Sequence, residues 1–187
     1  MDQILAHLRS LAPVPDDLAD HIRKTWKIRE YKKGSFLVKS GIINNQFFFI
    51  QQGLVRGYYT KEGKQITLWA LKEGDFIASM QSYEQQQPGK ENMRALEHCI
   101  VGCGTFMELE ETLRLFPAFE RHARIVTQRY SRLWYTLLYG IRMQSAEERY
   151  HFLTEKFPDL LQRVPAKYLA SYLDITEVTL SRMRSKR

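Results

Sequence analysis

The chain is poor in the residues that catalysis, metal binding and membranes demand. Cysteine occurs twice in 187 residues, at Cys99 and Cys103. Two thiols alone complete neither a tetrahedral zinc site nor an iron–sulfur cluster. They lie in an apolar stretch that reads as a strand, and their even separation puts both on one face. Buried structural thiols are the expectation there, with redox sensing as the competing reading. The histidines, His7, His21, His98, His122 and His151, are scattered, without nucleophile–base or metal-ligand spacing. Asp16-Asp17 and Glu110-Glu111 read as helix-end charges rather than paired catalytic carboxylates. The expectation is therefore no enzyme, no metal and no cofactor. No apolar run approaches the roughly 18 residues that cross a bilayer. The first ten residues also lack a signal peptide's layout. A cytoplasmic protein with no membrane partner is expected. What the chain has in excess is positive charge: Lys and Arg number 28 against 21 Asp and Glu, a net charge of +7. That balance suits a polyanionic partner.

Three zones follow one another. Residues 2–25 read as helical: Ile4, Leu5, Leu8 and Leu11 form one apolar face, and Leu18, Ala19 and Ile22 another. Pro13 and Pro15 separate the two. From Trp26 to Met107 short β segments alternate with glycines. The candidates are 26–31, 35–38, 46–52, 54–59, 65–71, 75–78, 94–96 and 99–105, with a hairpin tip at Lys61-Glu62-Gly63-Lys64. Many short strands at this spacing predict a sandwich or barrel. After Met107 the pattern turns helical. Phe119, Ala123, Val126, Tyr130, Leu133, Leu137 and Gly140 recur in alternating steps of four and three. That is a heptad seam, of which Val126, Tyr130, Leu133 and Leu137 are the candidate homodimer contacts. Trp134, Leu138 and Ile141 make a second stripe. One stripe packs on the β zone while the other meets a second copy; internal core for both is the alternative. Ser145 with Glu148 is a capping box that opens a further helix, and Pro158 ends it.

The segment Pro165–Arg187 has the layout of a helix-turn-helix reader of double-stranded DNA. A first helix runs from about Pro165 to Leu173, with Leu169, Ala170 and Leu173 inward. Asp174 occupies the turn, where φ > 0 is wanted and Asp is tolerated. Thr176 caps the second helix. Val178 or Thr179, with Leu180 and Met183, faces the first helix, leaving Glu177, Ser181, Arg182 and Lys186 outward. Thr176, Glu177, Val178, Thr179, Ser181, Arg182 and Lys186 are the candidate DNA contacts, with Arg182 suited to a guanine edge or a phosphate. An amphipathic helical hairpin with a solvated basic end is the plainer reading of the same pattern.

The order of these zones resembles the bacterial transcription regulators of the cyclic-AMP receptor protein and fumarate–nitrate regulator class. The likeness rests on Tyr31-Lys32-Lys33-Gly34, Gly41, the run Phe48 to Arg56, and Leu71-Lys72-Glu73-Gly74-Asp75-Phe76-Ile77. Thr179-Leu180-Ser181-Arg182 looks like the recognition-helix signature. The resemblance implies an α+β chain. Its N-terminal double-stranded β-helix, a jelly-roll-like β-roll with flanking helices, spans residues 1–115. A long dimerisation helix spans 116–144, and an all-α helix-turn-helix spans 145–187, with no wing after it. It also implies an effector pocket at Phe76, Ala78, Ser79, Gly89 and Lys90.

The departures are specific. In the family's cyclic-nucleotide binders, Gly-Asp-Phe runs on into a Gly-Glu whose carboxylate contacts the ribose. A later Arg followed by Ser or Thr holds the cyclic phosphate. Here those positions read Ala78-Ser79 and, approximately, Gly89-Lys90. A ribose acceptor and a bidentate guanidinium are both missing from this alignment. The N-terminal cysteine cluster of the family's oxygen sensors is absent, and no haem motif appears. Of the base-reading positions only Arg182 is retained, against Glu177 and Val178. The sequence thus predicts a dimeric DNA-binding regulator whose effector, if it has one, is a small molecule other than cyclic AMP. The alternative is a ligand-binding or interaction module with a decayed reader.

Overall fold

The structure, a computed structural model, describes residues 1–185. Two four-stranded antiparallel sheets face each other. One is ordered β1 (Lys27–Tyr31), β8 (Cys99–Thr105), β3 (Gln46–Gln52), β6 (Phe76–Ala78). The other is ordered β2 (Phe36–Val38), β7 (Asn92–Ala95), β4 (Val55–Lys61), β5 (Lys64–Leu71). The four-residue tip Lys61–Lys64 turns with φ 51° at Glu62 and 76° at Gly63, the mirror-image turn that matches strand twist.

The two-residue period of β3 divides two cores. Phe48 and Ile50 point between the sheets, joining Val55, Trp69, Met93, Val101 and both cysteines. Phe47 and Phe49 point the other way, onto α1 (Asp2–Leu11) and α2 (Asp16–Thr25). The same parity explains β8. Cys99, Val101 and Cys103 are buried inside the roll as free thiols, and burial raises both sulfur pKa values. Gly102 faces α1, where an added Cβ would lie 2.1 Å from Ile4 Cδ1. The helix sits that close only because the side chain is missing.

Short helices complete the roll: α3 (Met80–Gln85) and α4 (Phe106–Leu115), the latter opened by a Thr105–Glu108 capping box. After a 3-10 turn at Pro117–Phe119 comes the long helix α5 (Glu120–Met143). Then follow α6 (Ala146–Lys156), α7 (Pro158–Arg163), α8 (Ala166–Leu173) and α9 (Glu177–Ser185). Three details differ from the sequence reading. Met80–Gln85 is helical, and Pro158 opens a helix as well as closing one, since a first helical position needs no N–H. Pro165 flanks α8 as its N-cap rather than beginning it.

The C-terminal helices share a core with the roll. Leu54 and Leu96 join Tyr150, Leu153, Val164, Leu169, Ala170, Leu173 and Leu180. Strand β5 is an edge, and α8 covers it: Thr67 N donates to Ser171 Oγ (3.0 Å), which donates to Gln65 O (3.1 Å). Arg56, 1% exposed, lies between the rings of Tyr58 and Tyr168, at 4.2 and 3.8 Å. Arg163 forks onto Glu73 and Glu97, and Lys72 pairs with Asp159. No helix among the described residues is long and apolar enough to cross a membrane.

Candidate functional site

A groove of about 520 Å³ opens between the roll and α5. Of the residues expected there, Phe76, Ala78, Ser79 and Lys90 line it. Gly89 is buried just behind: a Cβ on it would stand 2.9 Å from Ser79 Oγ. Arg94, the other basic side chain nearby, lies in β7 and donates to Gly34 O at 2.7 Å, away from the groove lining.

The sequence reading passed over the most consequential side chain. Glu91, 8% exposed, lines the groove and accepts from the Trp69 indole N–H at 2.8 Å. Burial pushes its carboxyl from 4.5 up to about 7, the indole bond offsetting only part of the cost. Trp69 reaches it by lying flat on β4 at Gly57, where a Cβ would come within 2.1 Å of the indole. The signal for Glu91 was parity. Glu91, Met93 and Ala95 are all buried, two residues apart, so whatever turns Met93 inward turns Glu91 inward. Trp26, Tyr83 and His122 also border the groove, and Trp26 Nε1, Tyr83 Oη and His122 Nδ1 have no hydrogen-bond partner among the described residues.

Helix α5 is bound to the turn that precedes β6. Tyr130 Oη accepts from Phe76 N–H at 2.8 Å, and Arg129 pairs with Asp75 at 3.2 Å. Burial raises the Tyr130 phenol pKa, so it stays protonated. A second cavity of about 280 Å³ lies beyond this turn, between β5, α5 and the C-terminal helices. Tyr130 borders both cavities, with Val126 on the groove and Leu133 and Leu137 on the second cavity. The heptad positions are thus half-buried against their own chain. The outward stripe is Trp134, Leu138 and Ile141, at 46, 61 and 64% exposure, with Tyr135 and Tyr139 beside it.

At the C-terminus, Asp174 holds φ 54° and ends α8. Its N–H turns back to Ser171 O, and that of Ile175 to Ala170 O. Arg149 of α6 donates to Leu173 O at 2.8 Å, satisfying another terminal carbonyl. Thr176 Oγ1 accepts from Thr179 N–H at 3.1 Å, so Thr176 caps α9 and Thr179 is half-buried beside it. Leu180 is buried against α8. Glu177, Val178, Ser181 and Arg182 are exposed. Val178, at 61% exposure, therefore does not face the first helix. Lys186 lies outside the described residues.

The sequence model of the family described as "Cyclic nucleotide-binding domain" matches residues 28–116. No curated protein matches the chain in sequence. Among solved structures, FixK2 from Bradyrhizobium japonicum superposes with a TM-score of 0.74 at 18% identity, covering 87% of this chain and 84% of that one. A double mutant of CooA from Carboxydothermus hydrogenoformans gives 0.72 at 20% identity, covering 94% and 79%. CLP from Xanthomonas campestris, described as a c-di-GMP-responsive global regulator, gives 0.71 at 15% identity, covering 92% and 91%. Residues 28–116, the β-roll, are thus similar to the cyclic nucleotide-binding domain family, and the fold of the chain is similar to those of FixK2, CooA and CLP.

Proposed function

We propose that the protein is a dimeric DNA-binding transcription regulator, with an effector groove in residues 1–115, a long connecting helix in 116–144 and a DNA reader in 145–187. The carrying observation is α9. Its face away from Leu180 presents Glu177, Val178, Ser181 and Arg182 to solvent, on a helix capped by Thr176. The likeness to solved structures such as the c-di-GMP-responsive global regulator CLP, which covers 92% of the chain, supports the reading. In a major groove Arg182 would meet a guanine edge or a phosphate, Glu177 a cytosine amino group, and Val178 a thymine methyl. Lys186 would add a phosphate contact.

Two such helices read paired half-sites when they stand about 34 Å apart. The contact between copies is placed on α5, centred on the outward stripe Trp134, Leu138 and Ile141 and bordered by Val126, Tyr130, Leu133 and Leu137. Contiguous exposed apolar side chains of this kind suit a contact with another protein surface. The groove lacks the features for a cyclic phosphate: Ala78-Ser79 replaces the ribose acceptor, and Lys90 is its only Lys or Arg among the described residues.

Selection from a random duplex pool at moderate salt tests the reader. The native protein is expected to enrich one sequence, and Arg182→Ala to lose that preference. If the native protein enriches nothing, the DNA reading fails, and a ligand-binding module without a reader takes its place.

A further inference from the structure

The groove contains one charge that the chain leaves unanswered. Glu91 has Trp69 as its only hydrogen-bond partner among the described residues and forms no ion pair there. A buried carboxylate is stable when a cation or several donors replace its lost hydration. One neutral indole N–H does part of that. Lys90, next in sequence, lines the groove but is exposed and unpaired. The walls of the groove are largely aromatic: Trp69 and Tyr59 lie by the carboxyl, and Phe76 and Trp134 are on the same lining. Aromatic faces about a carboxylate favour a cation twice, through the ring quadrupoles and through the charge itself.

We infer that the groove binds a small aromatic amine, its ammonium seated on Glu91 and its ring packed on the aromatic walls. The inference rests on reading the groove as an effector site. It inverts the charge of the ligand that the domain's family name suggests. A cyclic phosphate entering here would meet Glu91 in a water-poor site and find only Lys90, whose compact charge stays hydrated at the surface. An ammonium supplies the missing charge. Its N–H groups also supply donors that the Trp69 indole alone does not provide.

The test is calorimetric titration of the full-length protein with tryptamine, with its anionic counterpart indole-3-propionate, and with cyclic AMP. Tryptamine is expected to bind the native protein at least about tenfold more tightly than the acid, a difference of roughly 1.4 kcal/mol. Glu91→Gln should remove most of that preference. Equal or tighter binding of the acid overturns the inference. So does tryptamine binding that Glu91→Gln leaves unchanged, or an absence of tryptamine binding up to about 1 mM. The native amine-to-acid ratio decides the matter even if a variant fails to fold. Tight binding of cyclic AMP would overturn the ligand class while leaving an effector groove. Loss of duplex selection would overturn the DNA reading while leaving the ligand result standing.

Discussion

Two carboxylates on the roll, Glu73 and Glu91, meet opposite fates. Glu73 lies at the seam with the C-terminal helices. Arg163 donates to both its oxygens, and this holds the carboxyl down at about 2. Glu91 lies in the groove on α5, with one indole donor, and burial lifts it to about 7. At the seam each of these acids is paired, Glu73 and Glu97 sharing Arg163 and Asp159 meeting Lys72. The groove is incomplete. The open charge is where the proposed ligand would sit.

The largest effect should come from destroying the groove alone. Gly57→Val puts carbon where the Trp69 indole lies, 2.1 Å away, and costs the Trp69–Glu91 bond as well. A loss of about 4 kcal/mol in urea unfolding is expected, from overpacking plus one buried hydrogen bond. An unchanged midpoint would show that the indole has room to move.

Glu91→Gln should act in the reverse direction. The folded carboxyl keeps its proton up to about pH 7, whereas the unfolded one releases it near 4.5. The native protein therefore loses stability as pH rises between those values. Removing the charge should raise stability at pH 8 by roughly 3 kcal/mol and change little at pH 4, read from unfolding at both pH values. Equal shifts at the two pH values would contradict the sign.

Arg163→Ala should weaken the seam and leave the groove unchanged. The Glu73 contribution is present above about pH 4.5 and lost as pH falls toward 2. These side chains are 27 to 39% exposed, so solvent screening limits the expected cost to about 1–2 kcal/mol at neutral pH. Hydrogen exchange should show faster opening of α7 and α8, with β7 protection unaltered. The smallest change is Asp174→Gly. Relief of φ 54° and the added freedom of the unfolded chain nearly cancel, for a gain of roughly 0.5 kcal/mol in thermal melting.

The strands were legible because their signals are local. The runs 46–52 and 99–105 appear at their predicted bounds, since alternation and flanking breaks suffice to define them. The helices α3 and α7 were not, because six residues are too few to show a helical period. The heptad in α5 identified residues that share a face, but spacing carries no information about what the face meets. The Tyr130–Phe76 bond turns it toward the roll. In the groove, Phe76, Ala78, Ser79 and Lys90 were found through the resemblance, by matching the family's nucleotide-binding motifs. Glu91 was missed because its environment depends on Trp69 and on the missing side chain of Gly57, both distant in sequence.

Tyr130 is a wall common to the groove and to the second cavity, and its hydroxyl is anchored to the main chain of β6. Protein interiors do not stretch to absorb a displaced ring. A shift of this phenol away from one cavity fills space in the other. The two cavities thus share one ring, held by a single hydroxyl. An occupant of the proposed effector groove that moved this ring would be registered as volume on the side where α7 and α8 are seated.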